Sequence, residues 1–392
     1  MDGERSYDLI LFGASGFTGA LTAEYLAGHA PPGIRWALAG RDRAKLERLR
    51  EHLVKLNARA SELDLLDADV EDPGSLDRLA ASTRVLISTV GPYIRYGEPV
   101  VAACARAGTD YLDLTGEPEF VDLMYVRYDE AARLSGARIV HCCGFDSIPA
   151  DLGVLFTVGH LPQGAALKLQ GYVRSSASFS AGTFHSAVEA FARPTQTARA
   201  ARQRRQLEPG PVGRQVRSRI SAPRREPTLD GWAIALPTID PQVVLRSARA
   251  LERYGPDFTY EHNLLAPHLA QAAGLAGGVL GLFTLAQLPP SRRWLLGRMN
   301  SGEGPSPQRR QRAWFEVSIV GEGGGRRVRT QVKGGDPGYE ETAKMLAESA
   351  LCLAFDELPA SAGQLTPAVA MGEPLIERLR RAGITFTVLQ EG

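Results

Sequence analysis

A glycine-rich turn near the N-terminus, between an apolar run and a helical segment, constrains the fold of this chain most. Residues 9–12 form a short apolar stretch typical of a buried strand, and residues 20–26 favour a helix. Between them Gly13 permits a tight turn, Gly16 permits close approach of the backbone to phosphate, and Gly19 permits close helix–strand packing. A helix N-terminus adds unbonded N–H groups and a positive dipole end. The segment therefore predicts a pyrophosphate-binding βα unit, with a turn that binds no ligand as the alternative.

The end of the next predicted strand indicates which dinucleotide is bound. Residues 36–39 are apolar and lead into Gly40 and Arg41, where sites that prefer NAD usually carry an acidic residue. A guanidinium group can bind a 2′-phosphate through two parallel hydrogen bonds. Arg41 therefore predicts NADPH as the cofactor. Asp42 follows directly and leaves NAD open, and a solvated surface arginine is the other interpretation.

Strand-like and helix-like segments alternate over the first 143 residues. The predicted strands continue at residues 62–70, 84–90, 110–114 and 138–143, and the predicted helices lie at 44–56, 73–81, 100–107 and 121–134. This alternation predicts an α/β fold, a Rossmann-type doubly wound parallel sheet whose ligands lie beyond the carboxyl ends of the strands. Asp69 and Val70 close the third strand and are expected to bracket the adenine.

The pattern changes after about residue 151. Strands are predicted at residues 167–174, 177–180, 232–236 and 258–264, a hairpin at 313–320 and 326–333 across GEGGG, and helices at 183–191 and 339–355. We expect an NADP(H)-binding domain over 1–150 and an α+β substrate or dimerisation domain, with a mixed or antiparallel sheet, over 151–335. Helices and a strand over 336–392 are expected to pack back on the first domain.

The composition excludes several other classes of protein. The chain has 392 residues, 44% of them hydrophobic, which is typical of a soluble globular protein, and its net charge of +1 gives no indication of nucleic-acid binding. The four cysteines, Cys104, Cys142, Cys143 and Cys352, form no CxxC pair. They indicate reduced thiols, a cytoplasmic location and no metal site. The charged N-terminus lacks the apolar run of a signal peptide.

Several motifs together resemble a known family. The segments GASGFTG, AGRD, TVGPYIRYGEP, CCGFDSIPADLG and GYEETAKMLAESALCLA are similar to saccharopine dehydrogenase-like oxidoreductases, in particular the bacterial trans-acting enoyl reductases. The resemblance implies NADPH-dependent reduction of the C=C bond of a carrier-tethered acyl chain in polyketide or lipid biosynthesis. It assigns Arg41 to the 2′-phosphate. The other expected cofactor contacts are Gly13, Ala14, Ser15, Gly16, Phe17, Thr18, Thr89, Val90, Gly91, Pro92 and Ser147.

Three side chains are candidates for the proton transfer that accompanies hydride transfer. Tyr93, just past the fourth strand, could donate to an enolate oxygen, or could be an aromatic wall of the cofactor site. Asp146, after the sixth strand, could bind the cofactor amide, position a water, or cap the helix that begins near Pro149. His185 could be a proton donor on a helix lining the cleft, or a packing residue.

Two alternative functions stay open at this point. One is a saccharopine-type dehydrogenase or reductase that acts on a C–N or C=O bond of a small metabolite. The other is a non-catalytic NADPH-binding protein that associates with a membrane, since the glycine motif serves binding and turnover equally.

Two unusual segments concern partners. Residues 193–225 are rich in arginine and predict either a solvated mobile loop or a docking surface for an acidic acyl-carrier protein, a polyketide synthase or an anionic membrane. Residues 264–288 carry no formal charge. They predict a helix that lies in a membrane interface or lines an acyl tunnel, a buried or dimer-forming helix, or, least favoured, a spanning helix, because Pro267, His268, Gln271 and Gln287 are costly in a bilayer.

Overall fold

The first 143 residues alternate strands and helices as the sequence predicts. The computed structural model describes residues 5–176, 181–297 and 306–391. The first strands are β1 (Tyr7–Phe12), β2 (Trp36–Gly40), β3 (Asp64–Asp67), β4 (Thr83–Ser88), β5 (Asp110–Asp113) and β6 (Arg138–Val140). The helices between them are α1 (Phe17–His29), α2 (Arg43–Leu56), α3 (Pro73–Ser82), α4 (Tyr93–Tyr96), α5 (Glu98–Ala107) and α6 (Pro118–Ser135).

The rest of the chain mixes longer strands with helices of varied length. Its strands are β7 (Leu167–Ser175), β8 (Gln215–Ser218), β9 (Arg224–Glu226), β10 (Gly231–Ala235), β11 (Asp257–Ala266), β12 (Phe315–Gly323), β13 (Arg326–Gly334), β14 (Gly363–Leu365) and β15 (Thr385–Glu391). Its helices are α7 (Ile148–Gly159), α8 (Ala181–Ala192), α9 (Pro194–Leu207), α10 (Asp240–Ala250), α11 (Leu269–Gln287), α12 (Pro289–Leu296), α13 (Pro307–Gln311), α14 (Glu340–Phe355), α15 (Pro367–Ala370) and α16 (Gly372–Arg381).

The first sheet is the predicted doubly wound parallel sheet. Its seven strands run in the order β14-β6-β5-β4-β1-β2-β3, and every pairing in it is parallel. The chain winds one way from β1 to β3 and the other way from β4 onward, so the switch point lies between β1 and β4. A crevice beyond the carboxyl ends of these two strands is where such a sheet binds its ligand. The predicted fold class is confirmed.

The second sheet is mixed, and the predicted hairpin lies within it. Its central strand β7 pairs in parallel with β11 and antiparallel with β12. The β12–β13 hairpin turns through Gly324 and Gly325, with φ of 57° and 77°. Two successive positive φ values are typical of the hairpin turns that glycine favours. The strand expected at residues 177–180 lies outside the described residues.

The C-terminal segment joins both sheets. Strand β14 pairs with β6 at the edge of the first sheet, whereas β15 pairs with β13 in the second sheet. Helix α14 is buried along most of its length and packs against α1. One hydrophobic cluster accordingly contains Leu11 of β1, Phe258 of β11 and Leu351 of α14. The two sheets therefore share a continuous core through the C-terminal segment.

The arginine-rich run 193–225 is not the solvated mobile loop that its composition suggests. It contains α9, β8 and β9, and acidic residues from other parts of the chain pair with its arginines. Arg204 is 5% exposed and donates to the Asp122 carboxylate at 2.5 Å, and Arg193 pairs with Glu119 at 2.7 Å. Two further pairs are Arg217–Asp257 and Arg224–Glu261. These ion pairs could not be predicted from the sequence, because most of the partner acids lie far from residues 193–225 along the chain.

The uncharged segment 264–288 contains the end of a strand followed by a helix, and this helix is not buried. Its first residues close β11, which ends at Ala266, and α11 begins only at Leu269 after Pro267 and His268. In α11, 12% of the most apolar window of 18 residues is buried. Among the described residues, α11 is the one helix long and apolar enough to cross a membrane, by length and composition.

Candidate active site

The glycine turn leaves the start of α1 open to an anionic ligand. Gly13 has φ of 83°, and a Cβ there would lie 2.7 Å from the Val90 side chain. A Cβ on Gly19 would lie 2.3 Å from the Gly13 carbonyl oxygen. No described side chain caps α1 at Gly16, and its first turn carries no acidic residue. Backbone N–H groups and the positive dipole end therefore face the crevice, as a pyrophosphate group requires.

Strand β2 is followed by an exposed arginine and then by an acidic residue whose carboxylate is already hydrogen-bonded. Arg41 is exposed and makes no ion pair with a described residue. The Asp42 carboxylate caps α2 by accepting the Lys45 N–H at 3.0 Å, and this hydrogen bond lowers the pKa of Asp42. Asp42 is the residue that left NAD open in the sequence, and capping α2 draws its carboxylate toward that helix. The site therefore fits a 2′-phosphate on Arg41 better than a ribose hydroxyl on Asp42.

The loop after β3 lies next to this position, because β3 is the neighbour of β2. The Asp69 carboxylate accepts the Glu71 N–H at 3.0 Å, and the Ser75 hydroxyl oxygen accepts the Asp69 N–H at 3.1 Å. Val70 is half-buried against the core. Both residues are thus held in a closed turn at the carboxyl edge of the sheet, where adenine contacts were predicted.

The loop after β4 is tied to the glycine turn. The Thr89 hydroxyl donates to the carbonyl oxygens of Phe12, at 3.2 Å, and Gly13, at 3.1 Å. Val90, Gly91 and Pro92 follow and lead into α4. This places the predicted nicotinamide-side residues across the switch point from the start of α1.

Tyr93 is buried, and its hydroxyl is engaged by the backbone. It is 4% exposed, and its hydroxyl donates to the Ser88 carbonyl oxygen at 3.0 Å. Burial, together with the negative charge of Asp113, raises the pKa of Tyr93 well above its usual value. Of the two roles predicted for this residue, the geometry favours the aromatic wall over the proton donor.

Glu117 joins the loops after β4 and β5 to α8. It is 4% exposed, and its carboxylate accepts the N–H groups of Tyr93 at 3.0 Å and Ile94 at 2.8 Å, and the Ser186 hydroxyl at 3.0 Å. Helix α8 therefore lies over these loops. It also carries His185, whose side chain lies outside the described residues, so its predicted role stays a prediction.

The loop after β6 holds a carboxyl group suited to proton transfer. Asp146 is half-buried at the carboxyl edge of the first sheet, and burial, with a smaller effect of the Asp240 charge, raises its pKa to about 7. Helix α7 begins after Ser147 without a side-chain cap from any described residue, so the capping role considered for Asp146 is not observed. A carboxyl group with this pKa can exchange a proton near neutral pH.

The backbone around Asp146 is strained. Ser147 has φ of 123° and Cys142 has φ of 64°, values uncommon for residues with a side chain. The Ser147 hydroxyl is buried without a partner among the described residues. A Cβ on Gly116 would lie 2.9 Å from an Asp146 carboxylate oxygen, so the loop after β5 packs directly on this group. Strain of this kind concentrates at functional sites.

The second domain adds polar groups that sequence reasoning missed. His262, on β11, lies with its Nε2 3.7 Å from the Asp240 carboxylate at the start of α10. The Tyr260 hydroxyl is 2.9 Å from His262 Nδ1, and burial lowers the pKa of His262. Alternation along a strand puts residues 260 and 262 on one face, and this spacing was the available signal. Nothing in the sequence indicated that Asp240 joins them.

A parallel sheet with this switch point, an uncapped α1 N-terminus and an exposed arginine after β2 define an NADP-dependent oxidoreductase. Comparison with known proteins agrees, because the saccharopine dehydrogenase NADP binding domain matches residues 9–140. The chain belongs to the saccharopine dehydrogenase-like oxidoreductases, as its full-length relatives show.

Three relatives illustrate the relationship. A Mycobacterium tuberculosis homologue named as a trans-acting enoyl reductase is 38% identical, over 97% of each chain. A rat saccharopine dehydrogenase-like oxidoreductase is 32% identical over 98% of each chain. The solved structure of saccharopine dehydrogenase (L-Glu forming) from Saccharomyces cerevisiae superposes with a TM-score of 0.56 at 13% identity, covering 98% of this chain and 100% of that one. This last likeness shows the fold alone.

Proposed function

We propose that this protein reduces the C=C bond of an α,β-unsaturated acyl group with NADPH, the acyl chain belonging to polyketide or lipid biosynthesis. The names of its bacterial relatives support the reaction class. The observation that carries the proposal is the position of the Asp146 carboxyl group at the carboxyl edge of the first sheet, packed by Gly116 of the loop after β5, where burial raises its pKa to about 7. Such a group can supply the proton that enoyl reduction consumes.

The cofactor-binding residues have separate tasks in this proposal. The α1 N-terminus and the turn from Gly13 to Thr18 bind the pyrophosphate, Arg41 binds the 2′-phosphate, and Asp69 and Val70 bracket the adenine. Thr89 to Pro92, with Ser147, contact the nicotinamide side. NADPH, when bound there, supplies the hydride that reaches the β-carbon of the substrate.

Asp146 completes the reduction in this proposal. In its protonated form it delivers a proton to the α-carbon of the enolate that hydride addition leaves, and it becomes a carboxylate. It then regains a proton from solvent. A Cβ on residue 116 would lie 2.9 Å from a carboxylate oxygen of Asp146, so a glycine at this position leaves room for the carboxyl group.

The proposal is tested with purified protein, NADPH and a panel of substrates. Enoyl thioesters, imines and ketones are each mixed with the protein, and cofactor absorbance is followed. Oxidation of NADPH with enoyl thioesters supports the proposal. Turnover with imines or ketones alone would replace it with a saccharopine-type dehydrogenase. Binding of NADPH without turnover of any class would instead identify a non-catalytic NADPH-binding protein.

We infer that an acidic acyl-carrier protein, or a polyketide synthase that carries one, presents the acyl chain. Arg199, Arg202 and Arg205 lie on the exposed surface of α9 at three-residue spacing, so they share one face of the helix. They are the part of the arginine-rich run that is suited to an acidic partner. The four cysteines are free and buried, which supports the proposed cytoplasmic location.

Charge reversal tests this docking surface. The triple variant Arg199→Glu, Arg202→Glu and Arg205→Glu should lower kcat/KM for a carrier-bound enoyl chain and leave that for the same chain on a small thioester unchanged. If the triple variant reduces the carrier-bound chain with the same kcat/KM as wild type, this surface is removed from the proposal.

A further inference from the structure

An arginine-lined cavity lies beside the exposed apolar helix α11. Its volume is about 560 Å³, and residues of α4, α5, α6, α8 and α12 line it. Five arginines and two glutamates line it. Apolar side chains, among them Phe120 and Leu296, also line it. A cavity with both apolar side chains and an excess of cationic groups suits an anionic amphiphile.

Two of the five arginines make no ion pair with a described residue. Arg95 pairs with Glu189, Arg127 pairs with Glu98, and Arg193 pairs with Glu119. The remaining two are Arg292 and Arg293, both on α12. Their guanidinium groups are thus the cationic groups of the cavity that a ligand phosphate can bind without displacing a carboxylate.

Helix α11 leads directly into α12 and exposes an uncharged surface. Its 19 residues contain no Asp, Glu, Lys or Arg, and Leu280 is 67% exposed. Phe283 contacts Phe191 of α8 with ring centroids 5.7 Å apart, which fixes the helix on the protein surface. Trp294 of α12 is 53% exposed, a position in which an amphipathic ring suits the boundary between lipid and water.

The connections of α11 decide its orientation toward a bilayer. The strand before it, β11, and the strand after it, β12, both pair with β7. The chain therefore leaves and re-enters the same sheet, and a single crossing would put these two strands on opposite sides of a membrane. Helix α11 is thus suited to lie in the plane of an interface rather than to span it.

We propose that the surface formed by α11, α12 and the arginine cavity binds an anionic phospholipid bilayer, with a headgroup phosphate between Arg292 and Arg293. Charge favours this occupant over a second copy of the chain. A two-fold contact through the same surface would bring two arginine-rich cavities toward each other. The inference goes beyond the proposed reduction and does not rest on it.

The test is sedimentation of the full chain with lipid vesicles. Wild-type protein should bind vesicles that contain phosphatidylglycerol and should bind pure phosphatidylcholine vesicles weakly. The double variant Arg292→Glu, Arg293→Glu should lose about tenfold or more of the affinity for the anionic vesicles. Leu280→Glu should weaken binding as well, because a charge would enter the acyl region.

Matched variants and a second measurement keep the outcomes distinct. Arg326→Glu with Arg327→Glu, at the exposed start of β13, and Leu134→Glu, at a side chain 82% exposed, should bind vesicles like wild type. NADPH affinity should stay unchanged in every variant, which shows that each one folds. Equal binding to both vesicle types, or no effect of the Arg292 and Arg293 changes, would overturn the headgroup site. A dimer in sedimentation equilibrium that Leu280→Glu dissociates, without vesicle binding, would assign the surface to a second copy.

Discussion

The two ends of the candidate active site are built in different ways. The cofactor end consists of consecutive residues whose backbone shape is dictated locally, such as Gly13 with its positive φ and the uncapped start of α1. The proposed substrate end consists of residues from distant segments, with Asp146 after β6, Gly116 after β5 and Asp240 at the start of α10. The comparison teaches that the proposed NADPH site is shaped by local backbone geometry, whereas the raised pKa of Asp146 depends on burial and on a charge that come together only in the folded chain.

Removal of the carboxyl group should have the largest effect and should separate the two ends. We expect Asp146→Asn to lower kcat about 10²- to 10⁴-fold and to leave the Kd for NADPH nearly unchanged, because the amide cannot donate a carboxyl proton. Steady-state kinetics and cofactor titration measure the two quantities. A variant that loses NADPH affinity in step with kcat would contradict the separation.

The pH profile supplies a second measurement on the same variant. The wild-type rate should be flat below about pH 7 and should fall as pH rises through the Asp146 pKa of about 7, because only the protonated form donates. The raised pKa also means that ionisation destabilises the fold, with no cost below the unfolded-state pKa and the full cost above about 7. The Tm of Asp146→Asn should therefore exceed that of wild type at pH 8 and equal it at low pH.

A side chain at position 13 should weaken NADPH binding at the cofactor end of the site. Gly13→Ala places a Cβ 2.7 Å from Val90 at a φ of 83°, so the turn must move. We expect NADPH to bind about 10- to 100-fold more weakly, as fluorescence titration would report. Gly28→Ala is the matched control, since a Cβ there meets no atom within 4 Å. Unchanged affinity in Gly13→Ala would show that the turn does not shape the cofactor site.

The cofactor choice should depend on one guanidinium group. Arg41→Ala should weaken NADPH about tenfold or more and leave NADH nearly unchanged, because the lost hydrogen bonds reach a 2′-phosphate that NADH lacks. Titration with both cofactors measures the ratio, and Arg59→Ala, at another exposed arginine, should not alter it. An equal loss for both cofactors would remove Arg41 from the 2′-phosphate site.

The prediction with the smallest expected effect concerns the influence of Asp240, in the second domain, on the pKa of Asp146. The Asp240 charge raises the pKa of Asp146, so Asp240→Asn should shift the fall of the rate to lower pH, by less than about one unit. The pH dependence of kcat/KM measures this shift. Asp230→Asn, at a fully solvated carboxylate, should leave the profile in place. A shift toward higher pH would contradict the electrostatic coupling.

The arginine segments show where prediction from the sequence failed. Composition predicted a solvated loop or a docking surface over residues 193–225. The loop is wrong, since Arg204 lies on α9 and is buried against Asp122 of α6, whereas the docking surface stays a prediction. Conversely, Arg292 lies outside the arginine-rich run and lines a cavity in the structure. The sequence shows where the arginines are but not which distant acidic residues pack against them. It therefore cannot distinguish an arginine in a structural ion pair from one that is available to a ligand.

The sequence by itself determined the parallel sheet, the glycine turn and the preference for NADPH. Each of these follows from local rules, since apolar runs of alternating type set strands and helices, and glycine spacing sets backbone shape. Tertiary structure decided that Tyr93 is buried with its hydroxyl on the Ser88 carbonyl oxygen, that Asp146 has a raised pKa, and that α11 lies exposed beside an arginine-lined cavity. These properties depend on desolvation and on charges from distant segments, which become defined only when the chain folds.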